Sequence, residues 1–218
     1  NQSLIADESI YKANRGLLVL TNANAIAEAD AQRYLREAIG LSPYRGSDLV
    51  GGGSEYPFGT NYFQVTPKGL TREWGYVGVS YGEMQWYAAN FYAYTTNTEF
   101  REQCVKMLNA RAAFRRPSLE PSGVFNYRSM EGIGLLAWRG AIESDGDYCD
   151  EMAYGDRAGW SLGMRCAAVT LNSNAVGYAK QMLADNQYFN ALTYASAHYS
   201  DRGALDAWQD YNTIKNLP

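Results

Sequence analysis

Histidine is almost missing from this sequence: His198 is the only one in 218 residues. That excludes a histidine-rich metal centre and leaves any serine-based relay a single choice of base. No G-x-S-x-G elbow occurs either. Lysine is scarce, with 5 Lys against 14 Arg. The net charge of -4 carries no basic stripe, which argues against a nucleic-acid binder. No run of eighteen apolar residues exists, so no segment reads as a membrane-spanning helix. The three cysteines have no zinc spacing. Cys104 falls in an amphipathic stretch and reads as a buried, inert thiol. Cys149 and Cys166 flank a loop and can pair as a disulfide in an exported protein. The chain opens at Asn1 without a charged or apolar leader, which fits a processed mature protein, secreted or periplasmic.

What is abundant is aromatic and apolar. Hydrophobic residues make up 46% and charged residues 19%, a globular composition with enough chain for a substantial core. Eighteen tyrosines and five tryptophans supply flat faces with a polar edge. Arginine supplies a forked donor that fits carboxylate, sulfate or phosphate. Together they suit an anionic, ring-shaped ligand at one local site. Tyrosines that only cap helix interfaces are the structural alternative.

Helical periodicity dominates. Asn22 or Asn24 can cap a helix through ANAIAEADAQRYLREAI, ending at Gly40 ahead of Pro43. Residues 41–79 are rich in glycine and broken by Pro43, Pro57 and Pro67, which predicts a long structured loop. GGGSEYPFG within it lacks the lysine of a phosphate loop and reads as a lid or wall. From Ser80, YGEMQWYAANFYAYTTN is apolar on nearly every side, a buried inner helix. Thr98 caps the next, in which Phe100, Cys104, Met107 and Leu108 form one apolar stripe opposite a charged face. Residues 127–143 predict another apolar helix with Met130, Ile133, Leu135, Leu136 and Trp138. Further helices are expected over 158–170, 172–184, 185–198 and 203–214. Strand patterns are few and short. The expected fold is a single all-α domain over 1–218, of inner and outer helical hairpins forming an α/α toroid or part of one, with a long glycine-rich loop.

The densest functional stretch is LTREWGYVGVSYGEMQWY, residues 70–87, between that loop and the inner helix. Gly69, Glu73, Tyr76 and Tyr81 resemble a motif of the heparinase II/III-like and alginate-lyase-like α/α-toroid polysaccharide lyases. The resemblance covers about thirty residues plus the helical architecture, and departs from the family in placing its only histidine far along the chain. It implies a β-elimination that cleaves an acidic, uronate-containing glycan, with no organic cofactor. Arg72 or Asn61 would neutralise the uronate carboxylate and acidify its C5 proton. Tyr76 or Tyr81 would remove that proton and return one to the leaving oxygen, with His198 or Tyr199 as partner. Trp74 and Tyr62 would stack on sugar faces, with Glu73, Tyr56 and Trp86 lining the cleft. Each has a structural alternative: the tyrosines as packing residues, Arg72–Glu73 as a surface pair, His198 as a residue offsetting a helix dipole.

Two rival readings remain. A glycoside hydrolase on a similar helical barrel needs two carboxylates, and Glu73 with Glu83 or Glu131 would serve. A non-catalytic helical array would use the same aromatics as core or as a carbohydrate- or protein-binding surface. SDGDYCDE sets Asp145, Asp147, Asp150 and Glu151 close together. Such oxygens can hold calcium, although the spacing is not that of an EF-hand and a solvated acidic loop is the plainer reading.

Overall fold

The computed structural model describes residues 3–46, 55–72, 76–77, 83–112, 115–119, 125–129, 132–133, 162–184, 208–209 and 211–216. These residues are mostly helical, as the composition and periodicity require. The first helix, α1 (Ser3–Val19), has no counterpart among the expected elements. Its buried stripe is Leu4, Glu8, Tyr11 and Asn14, so half of it is polar and the apolar period is hidden. Each polar member has a partner. Glu8 accepts a hydrogen bond from the Tyr94 hydroxyl at 3.0 Å and pairs with Lys12 at 3.1 Å. The Asn14 amide bonds the backbone of Ile26 in both directions, at 3.0 and 2.9 Å, in the manner of a strand partner.

That clamp explains where the second helix begins. Neither Asn22 nor Asn24 caps it. The Asn22 side chain accepts from Asn24 N–H at 2.9 Å, within the connection, and Asn14 holds Ile26 on α1. Helix α2 (Glu28–Ala38) starts after Ala27 with no side-chain cap, and Glu28 and Asp30 in its first turn favour the positive helix end. Its exit follows the expectation at Gly40. Leu41 N–H reaches Arg36 C=O at 2.8 Å and Gly40 N–H reaches Glu37 C=O at 3.2 Å, a Schellman closure with Gly40 at φ 73°. A Cβ on Gly40 would also stand 2.2 Å from the Val65 carbonyl oxygen.

Helices α3 (Glu83–Thr95) and α4 (Thr98–Ala112) form the second hairpin. Its junction turns through Thr96 at φ 54°. The cap is Asn97, one residue before the expected Thr98: its side chain accepts Glu99 N–H at 3.0 Å. The third hairpin joins α5 (Leu162–Thr170) to α6 (Ser173–Ala184), close to the expected 158–170 and 172–184. Its junction repeats the second point for point. Thr95 and Thr170 return their hydroxyls to the carbonyl four residues back, at 2.7 and 2.6 Å. Leu171 takes φ 54°, and Asn172 accepts Asn174 N–H at 3.1 Å. The residue preceding Asn22, Thr21, has φ 51° as well. One left-handed residue followed by an asparagine thus turns the chain out of α1, α3 and α5 alike.

The hairpins lie side by side in chain order. Helix α3 packs on α4, and also on α1 to one side and α5 to the other. Phe91 and Phe100 meet edge-on at 6.3 Å and 80° in the core between α3 and α4. The stripe Phe100, Cys104, Met107, Leu108 is buried as the sequence predicts. Helical segments at 208–209 and 211–214 bring Ile214 into the same core. Cys166 does not flank a loop. It is buried in α5 as a free thiol, close to the free, buried Cys104 of α4.

Short antiparallel strands complete the described chain. Strands β1 (Thr71–Arg72), β2 (Tyr76–Val77) and β5 (Gly132–Ile133) form a small sheet in the order β1-β2-β5. Strands β3 (Arg115–Leu119) and β4 (Phe125–Ser129) pair separately, with Pro117 opposite Tyr127. A two-stranded ribbon is all edge, so a proline is tolerated there. The helix expected over 127–143 is corrected at its start, where 127–129 and 132–133 are strand. Its flanking glycines, Gly132 and Gly134, disfavour a helix, and Phe125 to Tyr127 favour an extended chain.

Candidate functional site

Two places carry chemistry-bearing residues, and the segment 62–72 joins them. It starts at Tyr62, runs past Gly40 at Val65, and turns at Gly69 against α4. Gly69 has φ 89°, and a Cβ there would lie 2.4 Å from the Lys106 carbonyl oxygen, so both the turn and the close approach require glycine. Thr66 closes this turn, accepting Gly69 N–H at 2.8 Å on its carbonyl and Leu70 N–H at 3.0 Å on its hydroxyl. The chain then enters β1. Its register with β2 sets Arg72 directly opposite Tyr76, with Thr71 opposite Val77. The two leading candidates are therefore neighbours across one ladder, although three residues separate them in sequence.

The other place lies where the loop after α2 folds back over α1 and α2. Tyr44 N–H bonds Tyr62 C=O and Tyr56 N–H bonds Arg45 C=O, each at 2.8 Å, so residues 44–45 and 56–62 close on one another. Beneath them sits Glu37, only 4% exposed. Its carboxylate accepts from the Arg33 guanidinium at 2.8 Å and from Arg45 N–H at 3.0 Å. A second carboxyl, Asp7 of α1, is pushed up from 3.8 to about 7, first by burial and then by the Glu37 charge, with Arg33 partly offsetting both. Burial, then Asp7 and Glu37, also raise the Tyr44 phenol. Such a pair offers one carboxyl able to hold or give a proton near neutrality beside another clamped by fixed donors.

An aromatic surface adjoins the pair. Phe58 is 65% exposed, stacks on Tyr44 at 6.1 Å and meets Tyr62 tilted at 4.9 Å and 46°. Arg45 is ion-paired with Glu55. Tyr56 adopts φ 57°, a left-handed conformation that is costly for a non-glycine residue and common at functional loops.

Of the predicted site residues, Arg72 and Tyr76 come together, and Tyr56, Asn61 and Tyr62 share the aromatic loop. Trp86 lies in α3, which Glu83 opens. Glu73, Trp74, Tyr81, Glu131, His198 and Tyr199 lie outside the described residues, as do Asp145, Asp147, Asp150 and Glu151. Among the described residues no group of three His, Cys, Asp or Glu could hold a metal ion. No described helix is long and apolar enough to cross a membrane. Sequence reading missed Asp7, Arg33, Glu37, Tyr44 and Arg45. The available signal was Asp7-Glu8 with Tyr11 and Asn14 at helical spacing, a stripe too polar to read as a core face. Comparisons with protein-family models, curated proteins and solved structures return no match.

Proposed function

We propose that this chain is a polysaccharide lyase that cleaves an acidic, uronate-containing glycan by β-elimination, on an α/α toroid or part of one, outside the cytoplasm. The observation that supports this most is the cross-strand pair of Arg72 and Tyr76. In this reading Arg72, helped by the Asn61 amide, neutralises the uronate carboxylate and makes its C5 proton acidic. Tyr76 or Tyr81, as its phenolate, takes the C5 proton, with His198 as partner. The electron pair closes a C4–C5 double bond, the C4–O bond breaks, and the leaving oxygen receives a proton from the phenol. Trp74, Trp86, Tyr56, Tyr62 and Glu73 line the cleft, and Phe58 extends its stacking surface. Tyr76→Phe should cut the rate of unsaturated-uronide formation by roughly 10²–10⁴-fold with an unchanged melting temperature. A variant as active as wild type removes Tyr76 from the chemistry.

A second reading rests on a different observation, the two carboxyls Asp7 and Glu37 beside the aromatic loop. As a glycoside hydrolase the chain would use Asp7 to protonate the leaving oxygen and Glu37 as base or nucleophile. New reducing ends without ultraviolet absorbance, abolished in Asp7→Asn and retained in Tyr76→Phe, would establish it over elimination.

A further inference from the structure

We propose that Cys104 and Cys166 form a reversible disulfide that staples the second hairpin to the third. The two thiols come from α4 and α5, which belong to different hairpins, and both residues have no exposed surface. Cys166 acts directly on the Cys104 thiol, which sets the two side chains close together where α4 meets α5. The interface is held in register close by. The Arg101 guanidinium donates to the Thr170 carbonyl at 3.1 and 2.6 Å, three residues from Cys104 and four from Cys166. The Thr170 hydroxyl also returns to the Cys166 carbonyl at 2.6 Å. Helices α4 and α5 are in contact, as a bridge between them requires. The bond Cys166 would make is therefore to Cys104 and not across the loop to Cys149.

The hydrogen bond that the Cys104 thiol donates to Cys166, together with burial, pushes that thiol well up, so the closed structure protects the pair and reaction proceeds through local opening of α5 from α4. A small disulfide of the glutathione type is the oxidant. The thiolate of one cysteine attacks it, forming a mixed disulfide and expelling one small thiolate. The second cysteine, losing its proton, attacks the protein-bound sulfur and expels the other. Two protein thiols become one disulfide, two electrons pass to the oxidant, and it leaves as two thiols.

The test equilibrates the full chain in glutathione buffers of graded oxidation with sub-denaturing urea, quenches exchange with acid, alkylates the remaining thiols in denaturant near neutral pH and maps peptides by mass spectrometry. The expected result is one intramolecular bridge, Cys104 to Cys166, with a higher melting temperature in the oxidised form. The redox-dependent shift should vanish in Cys104→Ala and in Cys166→Ala and persist in Cys149→Ser. Free thiols at every ratio would overturn the proposal, and so would a bridge to Cys149.

Discussion

The first hairpin and the two that follow differ in how much charge they bury: Glu8 and Glu37 are buried in the first, and no charged residue is among the buried described residues of the other two. Between α3 and α4 the core is mainly apolar, with Phe91, Phe100, Met107 and Leu108; the buried Asn90 and Gln103 bond to Arg165 and to the Ile39 carbonyl, and Asn97 caps the junction. In the first hairpin the buried positions include Glu8, Asn14 and Glu37, each held by named partners, and Asp7 is half-buried beside Glu37. A buried polar group contributes little net stability and costs much when its partner is lost. An apolar core would have been the simpler solution, so the polar hairpin is where a functional constraint is expected. The loop carrying Tyr44, Phe58 and Tyr62 is anchored on that hairpin.

Mutations can break this contrast in graded steps. The largest effect belongs to the apolar side: Phe91→Ala or Phe100→Ala should lower the unfolding free energy by about 3–5 kcal/mol in chemical denaturation. Next comes Asn14→Ala, which strips both bonds from the Ile26 backbone and should cost about 2 kcal/mol. A loss below a few tenths of a kcal/mol would mean the polar clamp is not structural.

Asp7 should act in the opposite direction. Its folded-state value of about 7 exceeds the 3.8 of an ordinary aspartate, so the native state binds the extra proton between those values. Stability therefore falls as pH rises from about 4 to about 7, and the full cost persists above. Asp7→Asn should flatten that fall and gain about 1–2 kcal/mol at pH 8, allowing for the solvent that reaches this half-buried group, with no gain near pH 3. Equal gain at both pH values would contradict a protonated Asp7. Smallest is the junction: Asn97→Ala or Asn172→Ala should cost about 1 kcal/mol each, whereas Asn22→Ala, which caps no helix, should cost less.

The same contrast decides what could be read from the sequence. The α4 stripe and the α5–α6 pair were legible because their buried residues are apolar at helical spacing. Helix α1 was not, because Glu8 and Asn14 occupy its core positions. The cap residues were misplaced by the same kind of local competition: Asn97 precedes Thr98, and Asn22 turns the chain without starting a helix. Strands β4 and β5 were hidden in an apolar stretch whose length favoured a helix, since pairing with β2 and β3 is a long-range fact. At the site, Arg72 and Tyr76 were legible as candidates by residue type, but their pairing was not, because two-residue strands leave no periodic signal. The Asp7–Glu37 pair needed two helices and a loop to meet, which no local pattern records.

The most direct measurement is ultraviolet absorbance during incubation of the wild-type chain with alginate, hyaluronan, chondroitin, heparan, pectate and glucuronan, alongside an assay for reducing ends. A rise in absorbance with at least one of these glycans, in step with new ends, is the outcome that elimination requires. New ends with flat absorbance would contradict it and transfer the chemistry to Asp7 and Glu37. No change in either signal would leave the aromatic surface a binding face.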